Sequence, residues 1–382
     1  MGSKEKPGDE YVKLPPAQAA ERIRRLKRQL GAELCILGHH YQRDEIFDLA
    51  DFTGDSLKLS QQAAGAAAKY IVFCGVHFMA ETADILTSPD RAVLLPDLSA
   101  GCPMADMADA DDVAEALEAL RAVAGGAKVV PVTYVNSSAA AKAITGAAGG
   151  ACCTSSNARS VFEWALRPAG VDGAGADKIL AIPDQHLGRN TAVAMGYTLG
   201  DCVLYDPRQQ AGGLTEKQVA QARFILWKGH CHVHQRFTVE QVRHVRQQRP
   251  EIKVIVHPEC PYEIVAEADL AGSTEQILQA VADSPPASSW AVGTENNMVR
   301  RLAVNNGDKY IRVLSDTPPL CATMARINLP GLLWVLDNLA EGKLVNRVSV
   351  AEDIAAPARV AVERMISIKP TPAAAGLDRP QP

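Results

Sequence analysis

Two short segments of the sequence pair an imidazole with a second group that can move a proton. Gly38-His39-His40-Tyr41 places a histidine and a tyrosine two residues apart, and His257-Pro258-Glu259 places a histidine and a carboxylate at the same spacing. In extended backbone, residues at this spacing point to the same face. An imidazole beside a carboxylate or a phenol suits general acid–base chemistry near neutral pH. The sequence therefore predicts a polar site lined by His39, Tyr41, His257 and Glu259.

Hydroxyl-rich loops precede two predicted helices, at Thr154-Ser155-Ser156-Asn157 and at Gly54-Asp55-Ser56. Each loop combines side-chain hydroxyls with the unpaired backbone N–H groups of a helix N-terminus, which is a natural anion site. Helix capping alone explains either loop taken singly. Two such loops in one site indicate a small substrate that carries several negative charges. The glycine-rich motifs of dinucleotide and P-loop sites do not occur in the sequence, which gives those two classes no support.

The nine cysteines raise the question of a metal site rather than of disulfides, because their number is odd and no secretion signal accompanies them. Five lie in or beside apolar runs and are expected to be small buried hydrophobes: Cys35, Cys74, Cys152, Cys153 and Cys202. The other four lie in loops, and none of them forms the C-x-x-C of a zinc ribbon or a thioredoxin-like site. Thiolates that converge from separate modules predict an iron–sulfur or zinc site. The residues alone leave four possible ligands for it: Cys102, Cys231, Cys260 and Cys321.

The elements that must position these groups are short apolar runs that alternate with helical stretches, which is typical of βα units on parallel sheets. Helices are predicted at Leu57–Ala68, at Asp112–Ala124 and, largely buried, at Ala322–Glu341. The predicted strands are Leu34–Leu37, Tyr70–Cys74, Ala92–Leu95, Val129–Val135, Ala151–Thr154, Ile179–Ile182, Val203–Tyr205, Lys253–Val256, Trp290–Val292 and Tyr310–Leu314. Ligands of such sheets bind at the carboxyl ends of the strands, where most of the polar residues named above occur. The fold class is therefore α/β, with several similar modules around a shared centre.

Composition supports a folded chain with more than one core. The 382 residues are 47% hydrophobic and 22% charged, and the formal net charge is −5. This charge gives no reason to expect nucleic-acid binding, and no apolar run is long enough to span a membrane. Residues 1–16 and 369–382 are expected to be disordered tails, because they are rich in proline and poor in apolar residues. A cytoplasmic location is expected, since the chain begins without a signal peptide.

From about Pro16 to Ile368 the sequence resembles the quinolinate synthases. Many motifs carry this resemblance in one order along the chain, which makes it far more specific than any single motif. The motifs are Gly38-His39-His40-Tyr41-Gln42, Gly54-Asp55-Ser56, Phe78-Met79-Ala80-Glu81-Thr82-Ala83, Gly101-Cys102-Pro103-Met104-Ala105, Tyr134-Val135-Asn136-Ser137-Ser138, Thr154-Ser155-Ser156-Asn157-Ala158, Cys231-His232-Val233-His234 and His257-Pro258-Glu259.

The resemblance implies three αβα modules in a pseudo-threefold arrangement around a central active site. We expect them at about 17–106, 107–236 and 237–368, with possible crossing of the chain between modules. It further implies a 4Fe–4S cluster held by one cysteine from each module. By position these ligands are Cys102, Cys231 and Cys321, a choice that the residues alone do not make. Three ligands leave one iron open to act as a Lewis acid in dehydration.

The implied reaction is the condensation of iminoaspartate with dihydroxyacetone phosphate to quinolinate, with loss of phosphate and two waters, in NAD biosynthesis. Functional coupling to an L-aspartate oxidase is expected. Tyr41, Tyr134 and Glu259 are expected to transfer protons, and the histidines to orient the substrate. The matched site residues are His39, Tyr41, Ser56, Tyr134, Asn136, Ser155, His257, Glu259 and Thr274.

Two alternatives remain open at this point. One is another iron–sulfur hydro-lyase that acts on a small di-acid. The other is a non-catalytic iron–sulfur redox sensor, in which the vicinal pair Cys152 and Cys153 would be the reactive group. A sensor would not need the polar residues at the strand ends, so the sequence favours an enzyme.

Overall fold

The computed structural model describes residues 6–369 and divides into two compact units. Unit 1 consists of Met1–Cys102 and Leu320–Glu352, and unit 2 of Pro103–Pro319 and Asp353–Pro382. Of the two predicted tails, residues 1–5 and 370–382 lie outside the described residues. The module boundaries 17–106, 107–236 and 237–368 stay a prediction.

A short helix corrects the prediction of a tail at Asp9–Val12. Two acidic residues lie in its first turn, where the helix dipole favours negative charge. The guanidinium of Arg22 in α2 lies 5.9 Å from the centre of the Tyr11 ring, a cation–π contact between this segment and the following helix.

The described residues contain sixteen α-helices and fourteen strands. The helices are α1 Asp9–Val12, α2 Pro16–Leu30, α3 Asp44–Phe47, α4 Ser56–Gly65, α5 His77–Leu86, α6 Ala110–Val123, α7 Ala139–Ala147, α8 Ala158–Leu166, α9 Gln185–Ala194, α10 Glu216–Gln221, α11 Val239–Gln248, α12 Tyr262–Glu267, α13 Thr274–Ala282, α14 Asn296–Asn305, α15 Leu329–Ala340 and α16 Glu352–Ser367. The strands are β1 Leu34–His39, β2 Phe52–Gly54, β3 Tyr70–Cys74, β4 Ala92–Leu94, β5 Val129–Tyr134, β6 Ala151–Cys153, β7 Lys178–Ile182, β8 Cys202–Tyr205, β9 Phe224–Trp227, β10 Lys253–Val256, β11 Leu270–Ala271, β12 Ser289–Gly293, β13 Tyr310–Val313 and β14 Arg347–Val348.

Unit 1 contains one five-stranded sheet in the order β14-β4-β3-β1-β2. β1 to β4 are parallel, and β14 pairs antiparallel with β4 at the edge. All six residues of β1 are buried, as expected for a parallel strand covered on both faces. β14 returns to this sheet from far along the chain, so the sheet is completed by residues from both segments of unit 1.

Unit 2 contains two parallel sheets, in the orders β6-β5-β7-β9-β8 and β11-β10-β12-β13. Both repeat the order of β1 to β4. The first strand lies between the second and the third, and a later strand pairs with the outer side of the third. The prediction of an α/β chain with short parallel sheets and flanking helices is confirmed. A pseudo-threefold arrangement of the three sheets stays a prediction.

All ten strands predicted from the sequence are present, with small differences at their ends. Four strands were not predicted. β2, β11 and β14 have only two or three residues, too few for an apolar run to show. β9 is a run of four buried apolar residues and was recognisable.

The buried helix predicted at Ala322–Glu341 was wrong in its first part, because α15 begins only at Leu329. The side chain of Asn328 accepts a hydrogen bond from the N–H of Gly331 at 2.9 Å and caps the helix there. Pro330 fits the first turn, where a helix needs no N–H. Among residues 6–369, no helix combines the length and the apolar character that crossing a membrane requires.

Within unit 2, α16 packs closely on α7 and on the loop after β6. Gly146 of α7 lies so near α16 that a Cβ atom added there would be 1.9 Å from the carbonyl oxygen of Pro357. Asn157 Nδ2 donates to the carbonyl of Met365 at 2.8 Å, and Arg364 donates to the carbonyl of Gly150 at 2.6 Å. The last helix therefore holds the loop that carries Ser155.

We predict that Gly146→Ala lowers the free energy of unfolding by about 1–3 kcal/mol, because the added methyl group must push two backbones apart. Gly307→Ala is the matched control in the same unit, since no atom of residues 6–369 beyond its chain neighbours lies within 4 Å of its Cβ position. Denaturant unfolding of both variants measures the difference. Equal stability of Gly146→Ala and the wild type would contradict the close packing.

Candidate active site

The predicted site residues follow the same two strands in each sheet. The carboxyl end of the first strand carries two polar residues at a spacing of two: His39 and Tyr41, Tyr134 and Asn136, and His257 and Glu259. After the second strand comes a hydroxyl residue at or just before a helix: Ser56 of α4, Ser155 before α8, and Thr274 of α13. Since parallel strands end at one edge of their sheet, each sheet presents one such set there.

Unit 2 brings four of these residues together, with Tyr134, His257 and Glu259 buried and Ser155 partly exposed. Tyr134 Oη donates to Glu259 Oε1 at 2.5 Å, and His257 Nε2 lies 3.1 Å from Ser155 Oγ. A fifth residue, His234, joins them: its Nδ1 lies 2.9 Å from Glu259 Oε2, and its ring stacks on that of His257 at 4.4 Å. The cluster therefore joins the ends of the two sheets of unit 2.

Burial and neighbouring charges set the protonation of the cluster. Burial, with a smaller contribution from the neighbouring His234, lowers the pKa of His257 to about 3 against the opposing effect of Glu259, so His257 is neutral at pH 7. Burial has the largest effect on Glu259 and raises its pKa, but it is outweighed by the two histidines and by the hydrogen bonds from His234 and Tyr134. The net pKa of Glu259 is lowered, and its carboxylate stays ionised.

The tautomer of His257 follows from its backbone contact. The N–H of Glu259 donates to His257 Nδ1 at 3.3 Å, so the ring proton is on Nε2 and points to Ser155. The first sheet repeats this arrangement, because the N–H of Tyr41 donates to His39 Nδ1 at 3.1 Å. Both histidines can therefore present an Nε2–H donor.

The other predicted site residues lie outside this group of contacts around Glu259. Asn136 lies in the loop after Tyr134, and its buried Oδ1 has no hydrogen-bond partner among residues 6–369. Thr274 is the first residue of α13 and is buried. His39, Tyr41 and Ser56 belong to unit 1. At the predicted anion loop beside Ser56, Asp55 accepts the N–H of Lys58 at 2.9 Å, which is the capping interaction that the sequence also allowed.

Cys102, Cys231 and Cys321 occupy the same place in a repeated turn. Each follows the outer strand that pairs with the third strand of its sheet, namely β4, β9 or β13. A 3₁₀ turn begins three residues after each cysteine, at Ala105–Met107, His234–Arg236 and Met324–Arg326. Seven residues after each cysteine, a side chain caps the next helix: Asp109 for α6, Thr238 for α11 and Asn328 for α15. All three cysteines are partly exposed.

Contacts within each unit connect these turns. In unit 1, Arg326 of the Cys321 turn donates to Ser99 Oγ at 2.8 Å, in the loop that leads to Cys102. In unit 2, the carbonyl of Met107, in the turn after Cys102, accepts from Trp227 Nε1 at 2.7 Å, shortly before Cys231.

The other six cysteines are poor ligands or nucleophiles. Burial raises the pKa of Cys35 and Cys202 to about 11 and that of Cys74 and Cys152 to about 12. Burial also raises the pKa of Cys153 and Cys260 well above the ordinary value, and Cys260 Sγ donates to the carbonyl of Gly293 at 3.7 Å. These residues remain thiols at neutral pH.

The sequence did not single out the side chains that hold Glu259 and its neighbours in place. Asn190 of α9 is buried, and its Nδ2 donates to the carbonyls of Pro258 and Cys260, both at 2.8 Å. These carbonyls flank Glu259, so one amide fixes the loop on both sides of the carboxylate. His234 also was not assigned, and Thr294 Oγ1 lies 3.2 Å from its Nε2. Thr294 follows β12, so the sequence places it among the polar residues at a strand end but assigns it no role.

The same helix also contacts the loop of Cys231. Asp184 caps α9 by accepting the N–H groups of His186 and Leu187, both at 2.7 Å. The N–H of Gln185 donates to the carbonyl of Gly229 at 3.0 Å, and His186 Nε2 lies 2.8 Å from Gln235 Oε1. α9 therefore braces the Glu259 loop and the Cys231 turn together.

Because both N–H groups of Asn190 support the Glu259 loop, we predict that Asn190→Ala raises amide hydrogen exchange at 257–260 by about tenfold or more. Asn306→Ala is the control, since that amide donates to the carbonyl of Leu302 four residues earlier, at the end of α14. Exchange measured by mass spectrometry gives the comparison. No change at 257–260 in Asn190→Ala would show that the amide does not hold the loop.

One group of side chains in unit 2 has the composition of a metal site. Ligand atoms of Cys231, His234 and Glu259 all lie within 4.8 Å of one another. Thiolate, imidazole and carboxylate are the groups that transition metals prefer in proteins.

Comparison with known proteins identifies one family. The family model described as "Quinolinate synthetase A protein" matches residues 21–367. A quinolinate synthase of Streptomyces coelicolor is 52% identical over 366 residues, which cover 95% of this chain and 91% of that protein. A quinolinate synthase of Acidobacterium capsulatum is 50% identical over 364 residues, covering 94% of this chain and 96% of the relative. The chain belongs to the quinolinate synthetase A family.

Proposed function

We propose that this chain is a quinolinate synthase of NAD biosynthesis, which condenses iminoaspartate with dihydroxyacetone phosphate and releases phosphate and two waters. The observation that carries the proposal is the buried Tyr134–Glu259–His234 network at the strand ends, in a chain that matches its family over residues 21–367. The relatives bear this activity in their names. The match to this one family also favours the reaction over that of another iron–sulfur hydro-lyase.

The proposed cofactor is a 4Fe–4S cluster with Cys102, Cys231 and Cys321 as ligands. Their repeated turns, their partial exposure and the contacts between their loops within each unit support this set. Burial and the raised pKa of Cys260 argue against the fourth cysteine that the sequence left open. When bound, such a cluster supplies a Lewis acid at the iron that has no protein ligand.

The protein side chains would bind the substrates and move protons. Tyr134 Oη and Glu259 Oε1 are in direct contact, so a proton can pass between them without rearrangement. His257 is neutral and suits a hydrogen-bond donor that orients a substrate oxygen, rather than an acid. We propose that His39 and Tyr41 act in the corresponding places at the first sheet. Ser56, Ser155, Asn136 and Thr274 would bind phosphate and carboxylate groups.

A redox-sensor function finds no support in the vicinal pair Cys152 and Cys153. Both lie in β6 and are buried, and burial holds the pKa of each far above neutral. A sensor thiol needs access to solvent and a thiolate. We place the enzyme in the cytoplasm, where an L-aspartate oxidase would supply iminoaspartate.

The test of this proposal is quinolinate formation by anaerobically purified, cluster-loaded protein. Dihydroxyacetone phosphate and enzymatically generated iminoaspartate are the substrates, and chromatography detects the product. Glu259→Gln keeps the shape of the side chain but removes its charge. We predict that it lowers kcat by about 10²- to 10⁴-fold.

Glu263→Gln is the matched control, because that carboxylate is exposed on α12 four residues further along. It should retain wild-type activity. Absence of quinolinate with the wild-type protein would refute the proposed function. Wild-type turnover by Glu259→Gln would remove the carboxylate from the mechanism.

A further inference from the structure

We propose that Cys231, His234 and Glu259 form a binding site for a single divalent transition-metal ion of the zinc class, which is filled when no cluster is present. The site lies wholly within unit 2 and shares only Cys231 with the proposed cluster ligands. Its three ligand atoms lie within 4.8 Å of one another. Three protein ligands with one open position are the usual set of an open zinc site.

The hydrogen bonds around Glu259 and His234 leave one possible ligand atom of each residue facing the other. Tyr134 binds Glu259 Oε1, and Thr294 binds His234 Nε2. The remaining oxygen and nitrogen, Oε2 and Nδ1, are 2.9 Å apart. Two ligand atoms at about 2.0–2.1 Å from one tetrahedral ion are roughly 3.3 Å apart, so this pair needs to separate by only a few tenths of an ångström. A thiolate at about 2.3 Å from the ion lies roughly 3.6 Å from the other two ligand atoms, so the Cys231 side chain, which is within 4.8 Å of them, closes the site by a movement of up to about 1 Å.

These same contacts are the outer partners that metal ligands need. A ligating histidine almost always hydrogen-bonds through its other ring nitrogen, and Thr294 Oγ1 takes that place for His234. A ligating carboxylate is itself hydrogen-bonded, and Tyr134 does this for Glu259. When Nδ1 binds the metal, the neutral imidazole carries its proton on Nε2, and the hydroxyl of Thr294 can turn to accept this N–H. The site therefore requires no new supporting interaction.

Charge balance selects the kind of ion. His234 and Glu259 are buried, at 1% and 3% exposed, and a buried carboxylate is costly without a positive partner. A thiolate, a carboxylate and a neutral imidazole together carry two negative charges, which a divalent cation neutralises. Sulfur and nitrogen ligands favour zinc, cobalt or ferrous iron over magnesium and calcium.

Occupation of this site would displace the proton between His234 and Glu259 and take the Cys231 thiolate. Since Cys231 is also a proposed cluster ligand, the single ion and the cluster exclude each other, and this exclusion rests on the proposed function. Binding of the single ion by cluster-free protein does not. A zinc-class ion would thus compete with cluster assembly.

The experiment titrates Co²⁺ into full-length, cluster-free protein under anaerobic conditions. We expect one ion per chain, with the thiolate-to-cobalt charge-transfer absorption and the visible bands of a four-coordinate ion. Cys231→Ser should abolish the charge-transfer band, and His234→Ala should weaken binding at least tenfold. Thr294→Val keeps the shape of an outer partner and should weaken binding about 10- to 100-fold. Circular dichroism confirms that each variant is folded.

Cys102→Ser and Cys321→Ser are the decisive controls, and both should bind Co²⁺ as the wild type does. Loss of the band in either of them, or the absence of a one-to-one complex in the wild type, would overturn the inference. A separate wild-type sample is reconstituted with iron and sulfide and assayed for quinolinate. Product without Co²⁺ binding refutes only the single-ion site, whereas Co²⁺ binding without product supports that site and refutes the proposed function.

Discussion

Parallel strands end at one edge of their sheet, and the chemistry of this chain depends on that constraint three times over. Each sheet has its first strand between the second and the third, with a later strand outside the third. The first strand ends in a pair of polar residues, the second in a hydroxyl and the outer strand in a cysteine turn. No long-range motif in the sequence is needed to bring these groups to the edge of a sheet, because strand order alone does so.

The Glu259 carboxylate is the most demanding group within this framework. It is buried, and burial alone would raise its pKa and discharge it. The two neighbouring histidines and the hydrogen bonds from His234 and Tyr134 reverse this effect on the pKa, and Asn190 holds the backbone on both sides. The same loop thus combines an ionised side chain with a rigid support, which is the arrangement that proton transfer at a fixed position requires.

Much of this architecture could be predicted from local sequence. Apolar runs identified ten strands, and the polar residues that follow β1, β5 and β10 identified a site. The features that were not predicted are those that depend on tertiary contacts. His234 gains its role from its contact with Glu259 and its stacking on His257, and Asn190 acts from a helix that carries no catalytic motif. Strands as short as β11 and β14 exist because a neighbouring strand pairs with them, not because of their own composition.

The cysteines also show how far the sequence alone could predict the site. Context in the sequence reduced nine to four, and the choice among those four came from resemblance to a family. The structure adds a physical reason: Cys260 is buried against a carbonyl, whereas the other three share a 3₁₀ turn and a capped helix at the same offsets. Such a repeat is hard to see in the sequence, since the three turns share little beyond the cysteine itself.

The central claim is that three equivalent turns each deliver one thiolate to a shared cluster. Measuring the iron and acid-labile sulfide content of anaerobically purified single variants tests this claim most directly. The account predicts about four irons per chain in the wild type, in Cys260→Ser and in Cys202→Ser, and loss of the cluster in Cys102→Ser, Cys231→Ser and Cys321→Ser. A full cluster in any of these last three, or its loss in Cys260→Ser, would contradict the account.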